Sequence, residues 1–175
     1  MFGVSGTYLR IATLGVALWG FTSPAHVAAA SVDPLLKLAA SRPGRDPLTV
    51  RVLIYSPVPI GAYTVDVSFD PAVLELVAVD GGKAAEFNAA PLSNPAAFAS
   101  GTVRMSAFQM RRLEGPSGAV HVATLRLQPR AGPATQASRK LRRTELEARV
   151  VVLADTHGVT YRPAPRRTVL RYRGR

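Results

Sequence analysis

Residues 60–80 read IGAYTVDVSFDPAVLELVAVD, and how this stretch is read decides the fold. Tyr63, Val65, Val67 and Phe69 alternate with Thr64, Asp66 and Ser68, the period of a strand with one dry face and one wet face. Asp70-Pro71 ends the run, because proline has no N–H for a ladder and its ring presets a turn. Residues 76–79 offer a second strand that closes at Asp80-Gly81-Gly82. A strand, a tight Asp-Pro corner and a returning strand make a building block of a β-sandwich.

The flanking segments extend the same pattern. Leu48, Val50, Val52 and Ile54 share one side of LTVRVLIY. Upstream, residues 32–40 suit a first strand, although their Leu and Ala fit a short helix as well. The two segments are separated by turn-forming residues 41–47. Residues 85–88 read as an irregular strand before a loop with a turn at Asn94-Pro95. In TVRMSAF, Val103, Met105 and Ala107 oppose Arg104, Ser106 and Phe108. In AVHVATLRLQ, strict alternation puts Ala119, His121, Ala123, Leu125 and Leu127 on one face. Residues 129–140 are a polar loop, 145–153 the last strongly apolar strand, and Asp155-Thr156-His157-Gly158 a hairpin turn returning through residues 159–161. Residues 168–172 add a final strand before a basic end. Short strands between Pro/Gly turns, with no long helical period, predict an all-β sandwich.

Residues 1–30 stand outside this scheme. Arg10, the apolar run 11–21 and Ala28-Ala29-Ala30 follow the order of a secretory signal. That apolar run is shorter than the roughly 20 residues a bilayer requires. The expected mature chain therefore starts near Ser31, carries no membrane span and is secreted or periplasmic. It contains no cysteine, so its core must hold without disulfides or thiolate metal sites. About 145 residues suffice for one domain.

The formal charge of +11 falls to +10 when Arg10 leaves. Such an excess attracts anionic partners in general, and export argues against nucleic acid. An acidic envelope polymer or an acidic protein surface is the better match. Arginine supplies nineteen of the twenty-two basic residues, which fits a GC-rich coding bias as well as a ligand. The basic run at residues 139–143 and the end of the chain read as solvated.

Catalytic signatures are weak. His26 leaves with the signal, His121 lies in an alternating strand as a partly buried residue, and His157 sits in a polar turn. Their spacing supports no zinc site. Of the carboxylates, Asp66 faces water, Asp70 belongs to the Asp-Pro corner, and Glu145 and Glu147 interleave with arginine at a strand edge. None of these makes the paired arrangement a glycosidase requires. The chain is expected to be no enzyme and to need no cofactor.

The order of signals resembles the cohesin domain family. The pieces are Pro43-Gly44 before LTVRVLI, then GAYTVDVSFDPAVLELVAVDGG, GTVRMSAF, GAVHVATLRLQ and VVLADTHGVTY, together covering residues 32–172. The resemblance implies a single nine-stranded β-sandwich of jelly-roll topology, and a non-catalytic domain that binds a protein such as a dockerin or another envelope protein. It also implies a link to polysaccharide degradation. On this reading the recognising face combines strands 63–69, 103–108 and 145–153. Its outward residues are Thr64, Asp66 and Ser68, then Arg104, Ser106 and Phe108, with Arg149 nearby. The alternative is a carbohydrate-binding module for an envelope or extracellular polysaccharide. Such modules favour coplanar exposed aromatics, and the one tryptophan, Trp19, leaves with the signal.

Overall fold

The computed structural model describes residues 34–40, 48–110, 114–130, 144–161, 163 and 166–171. The expected signal at 1–30, the turn at 41–47, the loop at 131–140 and the basic run at 139–143 lie outside them.

Nine strands are present among the described residues: β1 (Leu35–Ala40), β2 (Leu48–Ser56), β3 (Ile60–Ser68), β4 (Leu74–Gly81), β5 (Thr102–Phe108), β6 (Gly118–Pro129), β7 (Glu145–Asp155), β8 (Thr160–Tyr161) and β9 (Thr168–Arg171). They form two antiparallel sheets, ordered β1-β2-β6-β4 and β5-β3-β7-β8, with β9 also on β7. From β2 to β7 the chain changes sheet at every connection. The Asp-Pro corner is one of these crossings, so the returning strand β4 lies in the sheet facing β3. Asp70 makes the corner with its own atoms. Its Oδ1 accepts the Ala72 N–H at 2.8 Å, and its carbonyl accepts the Val73 and Leu74 N–H groups. Gly101 stacks behind it at φ +77°, where a Cβ would fall 2.5 Å from the Phe69 carbonyl oxygen. Only glycine suits that position.

The core follows the alternation in β2 and β3: Val50, Val52, Ile54, Tyr63, Val65 and Val67 are all buried between the sheets. Tyr63 also spans the core, its hydroxyl donating to the Val122 carbonyl of the opposite sheet at 3.0 Å. Burial pushes its phenol pKa well above the usual value, so it remains a donor. The ring meets Phe87 edge-on, with centroids 5.3 Å apart.

Two expectations are corrected. Residues Ala85–Phe87 form a 3-10 turn instead of an irregular strand, and Pro95–Ser100 form a second. Asn94 caps the latter by accepting the Ala96 N–H at 3.1 Å. In β6 a single inward face does not hold. Val122 has no partner in the β2 register, which passes from Val52–Ala123 to Leu53–His121. The bulge flips the phase. Val120 and Val122 point inward before it, Ala123, Leu125 and Leu127 after it, while Ala119 is exposed and His121 half-buried on the outside. The extra carbonyl at the bulge is the one that Tyr63 satisfies.

Tyr63→Phe keeps the ring and removes the donor to a buried carbonyl. It is expected to lower unfolding free energy by about 1–3 kcal/mol, and Leu125→Ala by about 2–5 kcal/mol through cavity formation. Urea titration followed by circular dichroism measures both.

Candidate functional site

The outer face of the β5-β3-β7 sheet presents its residues in cross-strand rows. One row carries Arg104, Asp66 and Arg149. Its neighbour on one side carries Thr102, Ser68 and Glu147, and on the other Ser106, Thr64 and Val152. A fourth row carries Phe108, Ala62 and Ala154. All seven residues expected to form a binding face (Thr64, Asp66, Ser68, Arg104, Ser106, Phe108 and Arg149) therefore share one surface.

Asp66 organises the charged half. Arg104 grips it with two bonds, Nε to Oδ1 at 2.7 Å and Nη2 to Oδ2 at 2.9 Å. Arg149 donates from the other side, Nη2 to Oδ2 at 2.9 Å. The Arg104 hydrogen bond is the main cause that holds the Asp66 carboxyl below its usual pKa, against partial burial, with Arg149 adding to it. A carboxyl held in this way stays ionised, whereas a general acid needs its pKa raised. Pairs between exposed guanidiniums and a carboxylate stabilise by only about 1 kcal/mol or less each. Their larger effect is to hold two solvent-exposed guanidiniums in place on the sheet. Beside them the Thr64 and Ser106 hydroxyls bond each other at 3.0 Å.

The other half is apolar. Phe108 is 63% exposed, and Val152 stands out from β7. Leu92, bridged to Ser106 along the edge of β5, is 69% exposed and extends this zone. Between the charged row and the turn at 95–100 runs a groove of about 630 Å³, walled by Asn94 and Ala97 on one side and reaching Arg167 on the other. Arg167 contacts Glu147 at 3.3 Å. Leu92, Asn94 and Ala97 were not legible as part of a site. They lie in a run of small residues without periodicity, and only the bridge to β5 brings them to the face.

The remaining candidates serve structural roles. Asp70 turns the corner. Glu145 and Glu147 pair with Arg171 and Arg167. Asp155 Oδ1 accepts the His157 and Val159 N–H groups and its Oδ2 accepts the Tyr161 hydroxyl, while His157 is exposed. Desolvation pulls the Asp155 carboxyl up, but these donors outweigh it and leave its pKa below the usual value. Among the described residues no cluster of His, Cys, Asp or Glu could hold a metal ion, and no helix is long and apolar enough to cross a membrane.

No family model and no curated protein matches the sequence. Solved structures do match the fold. A cohesin module of a family 33 glycoside hydrolase from Clostridium perfringens aligns at a TM-score of 0.56 and 10% identity, over 83% of this chain and 100% of that one. The fold is that of a cohesin. A non-cellulosomal cohesin from the archaeon Archaeoglobus fulgidus aligns at 0.55 and 14% identity, over 79% of this chain and 90% of its own. A chain from a type I cohesin–dockerin complex of Clostridium thermocellum aligns at 0.55 and 12% identity, over 81% of this chain and 99% of its own. At such identities the cohesin likeness is one of architecture.

The lowered Asp66 pKa sets an acid limit. Unfolded chains bind this proton more readily than the folded cohesin-like domain, so its stabilisation is present above the unfolded value near 4 and is lost as pH falls through the folded value. Asp66→Asn is expected to have a shallower loss of stability as pH falls below about 4 than the parent chain. Urea midpoints across that range test it.

Proposed function

We propose that this chain is an exported, non-catalytic recognition domain that binds a protein partner through the outer face of the β5-β3-β7 sheet. The observation that carries this reading is the division of that face. An exposed aromatic and aliphatic zone, Phe108, Leu92 and Val152, adjoins two guanidiniums oriented by Asp66. Protein interfaces concentrate their binding energy in aromatic and arginine anchors of this kind, set among neighbours that exclude water. Cohesin architecture supports the same conclusion, since similar structures include chains from cohesin–dockerin complexes. Thr64, Ser68 and Ser106 supply hydrogen-bonding groups between the two zones, and Arg104 and Arg149 select a partner carrying carboxylates or carbonyls opposite them.

Sugar binding on this face has less support. Among the described residues Phe108 is the one aromatic of the exposed large apolar side chains, and a glycan platform relies on several coplanar rings.

The test places a photo-crosslinking side chain at Phe108 and, in a second protein, at Glu75 on the opposite sheet. A partner captured from the source's extracellular fraction at position 108 alone, then purified, is expected to bind the parent domain saturably. Phe108→Ala and Arg149→Glu should each weaken that binding by about tenfold or more. Purified dockerin modules serve as a defined comparison set. Equal capture at both positions, or affinity unchanged by both substitutions, overturns the assignment of the face.

A further inference from the structure

The opposite sheet has an outer face of different character. Across β1, β2 and β6 one row carries Lys37, Leu53 and His121, and the next row towards one end carries Ala39, Arg51 and Thr124. On the other side lie Leu35, Tyr55 and Ala119. The Gly82 backbone presses so closely on the His121 carbonyl that a Cβ has no room, and this delivers Lys83 to the end of the Lys37–Leu53–His121 row. His121 Nε2 bonds along its own strand, 3.0 Å from the Ala123 carbonyl oxygen and from Thr124 Oγ1.

Charge on this face is uncompensated where it is densest. Lys37, Arg51 and Lys83 are exposed and make no ion pair among the described residues. The acids of the sheet, Glu75 and Asp80, are confined to the far strand β4, and Asp80 is closed by Arg126 at 2.8 Å. Partial burial, and then the fields of Arg51 and Lys83, hold the His121 pKa below its usual value, as expected where no carboxylate answers the cations.

We propose that this face is a second binding surface, and that its ligand is an acidic polysaccharide laid across the strands. The row from Lys37 to His121 spans two inter-strand steps, about 10 Å, with Lys83 beyond. Lys37, Arg51 in the adjacent row and Lys83 together set a band of positive charge across the strands, and it suits a linear polyanion. Leu53, between Lys37 and His121, and Tyr55 in the neighbouring row are half-buried, so they form a flat apolar shelf among the cations instead of projecting past them. A shelf of this kind receives the C–H face of a sugar ring. A bilayer surface would call for apolar side chains reaching past the cations. Here the strongly exposed aliphatics, Leu35 and Val77, sit on the two edge strands with the width of the sheet between them. With a protein on one sheet and a polyanion on the other, the domain would tether its partner to an acidic matrix.

Co-sedimentation with polygalacturonate at about 0.05 M salt tests the proposal, with neutral dextran and vesicles of mixed phosphatidylserine and phosphatidylcholine as the other arms. Binding to polygalacturonate alone is expected, weakening steeply towards about 0.5 M salt as the charges are screened. Lys37→Glu with Arg51→Glu should lower the affinity about tenfold or more, and Tyr55→Ala several-fold. Arg167→Glu with Arg171→Glu, the same charge change placed just before β9 and at its end on the other sheet, should alter it less than threefold. Circular dichroism confirms that each variant is folded. The proposal is overturned by absence of polygalacturonate binding, by equal losses in the two charge-reversal pairs, or by tighter binding to the anionic vesicles.

Discussion

Two sheets with no disulfide between them must be held face to face by what their inner side chains do. Here that is an interlock of Val, Ile and Leu crossed at its centre by a polar tie, the Tyr63 hydroxyl on the Val122 carbonyl, with the Thr168 hydroxyl donating to the Leu36 carbonyl at 2.6 Å as another. The apolar burial supplies the driving force but no preferred alignment, because it is roughly proportional to area and non-directional. A hydrogen bond in a dry interior is directional, and it is costly to leave unmade. Tyr63 thereby couples the bulge in β6 to the centre of β3, and Phe87 packs edge-on against the same ring. The register of one sheet and the position of the other are set together.

Carboxylates in this domain divide by what they accept. Asp70 and Asp155 accept backbone N–H groups and shape turns, so their charge is spent within the loop that carries them. Asp66 accepts only from side chains, and those side chains arrive from strands on either side of it. Its position on β3, with β5 on one side and β7 on the other, turns a single acid into a template for two cations. Energetically the pairs are modest. Geometrically they convert flexible arginines into oriented donors, which lowers the ordering cost of meeting a partner.

The crossings between sheets explain why each outer face is a mosaic. Because β2 to β7 alternate between layers, neighbours in space come from distant parts of the chain: β5, β3 and β7 on one face, β1, β2 and β6 on the other. A polar residue contributed by one strand finds its partners tens of residues away, as Asp66 does with Arg104 and Arg149. The same winding leaves the two surfaces chemically unlike, one mixed and aromatic, the other cationic where Lys37, Arg51 and Lys83 meet.

By itself the sequence determined the strand periods, the Asp-Pro corner, the inward set of β2, β3 and β5 and even the outward residues of the candidate face. Alternation is local, and each pointing direction follows from the residue before it. Only the tertiary structure decided the phase flip at Val122, because a bulge is a property of two strands in register and leaves no mark in one. Residues 85–100 were only partly legible, the turn at Asn94-Pro95 but not the form of residues 85–88, for a related reason. Small side chains carry no period, and their 3-10 turns exist to bring Phe87 into the core and Leu92 to an edge. The ion pairs of Asp66 were equally hidden, since a carboxylate that faces water looks the same in sequence whether its neighbours are solvent or two guanidiniums.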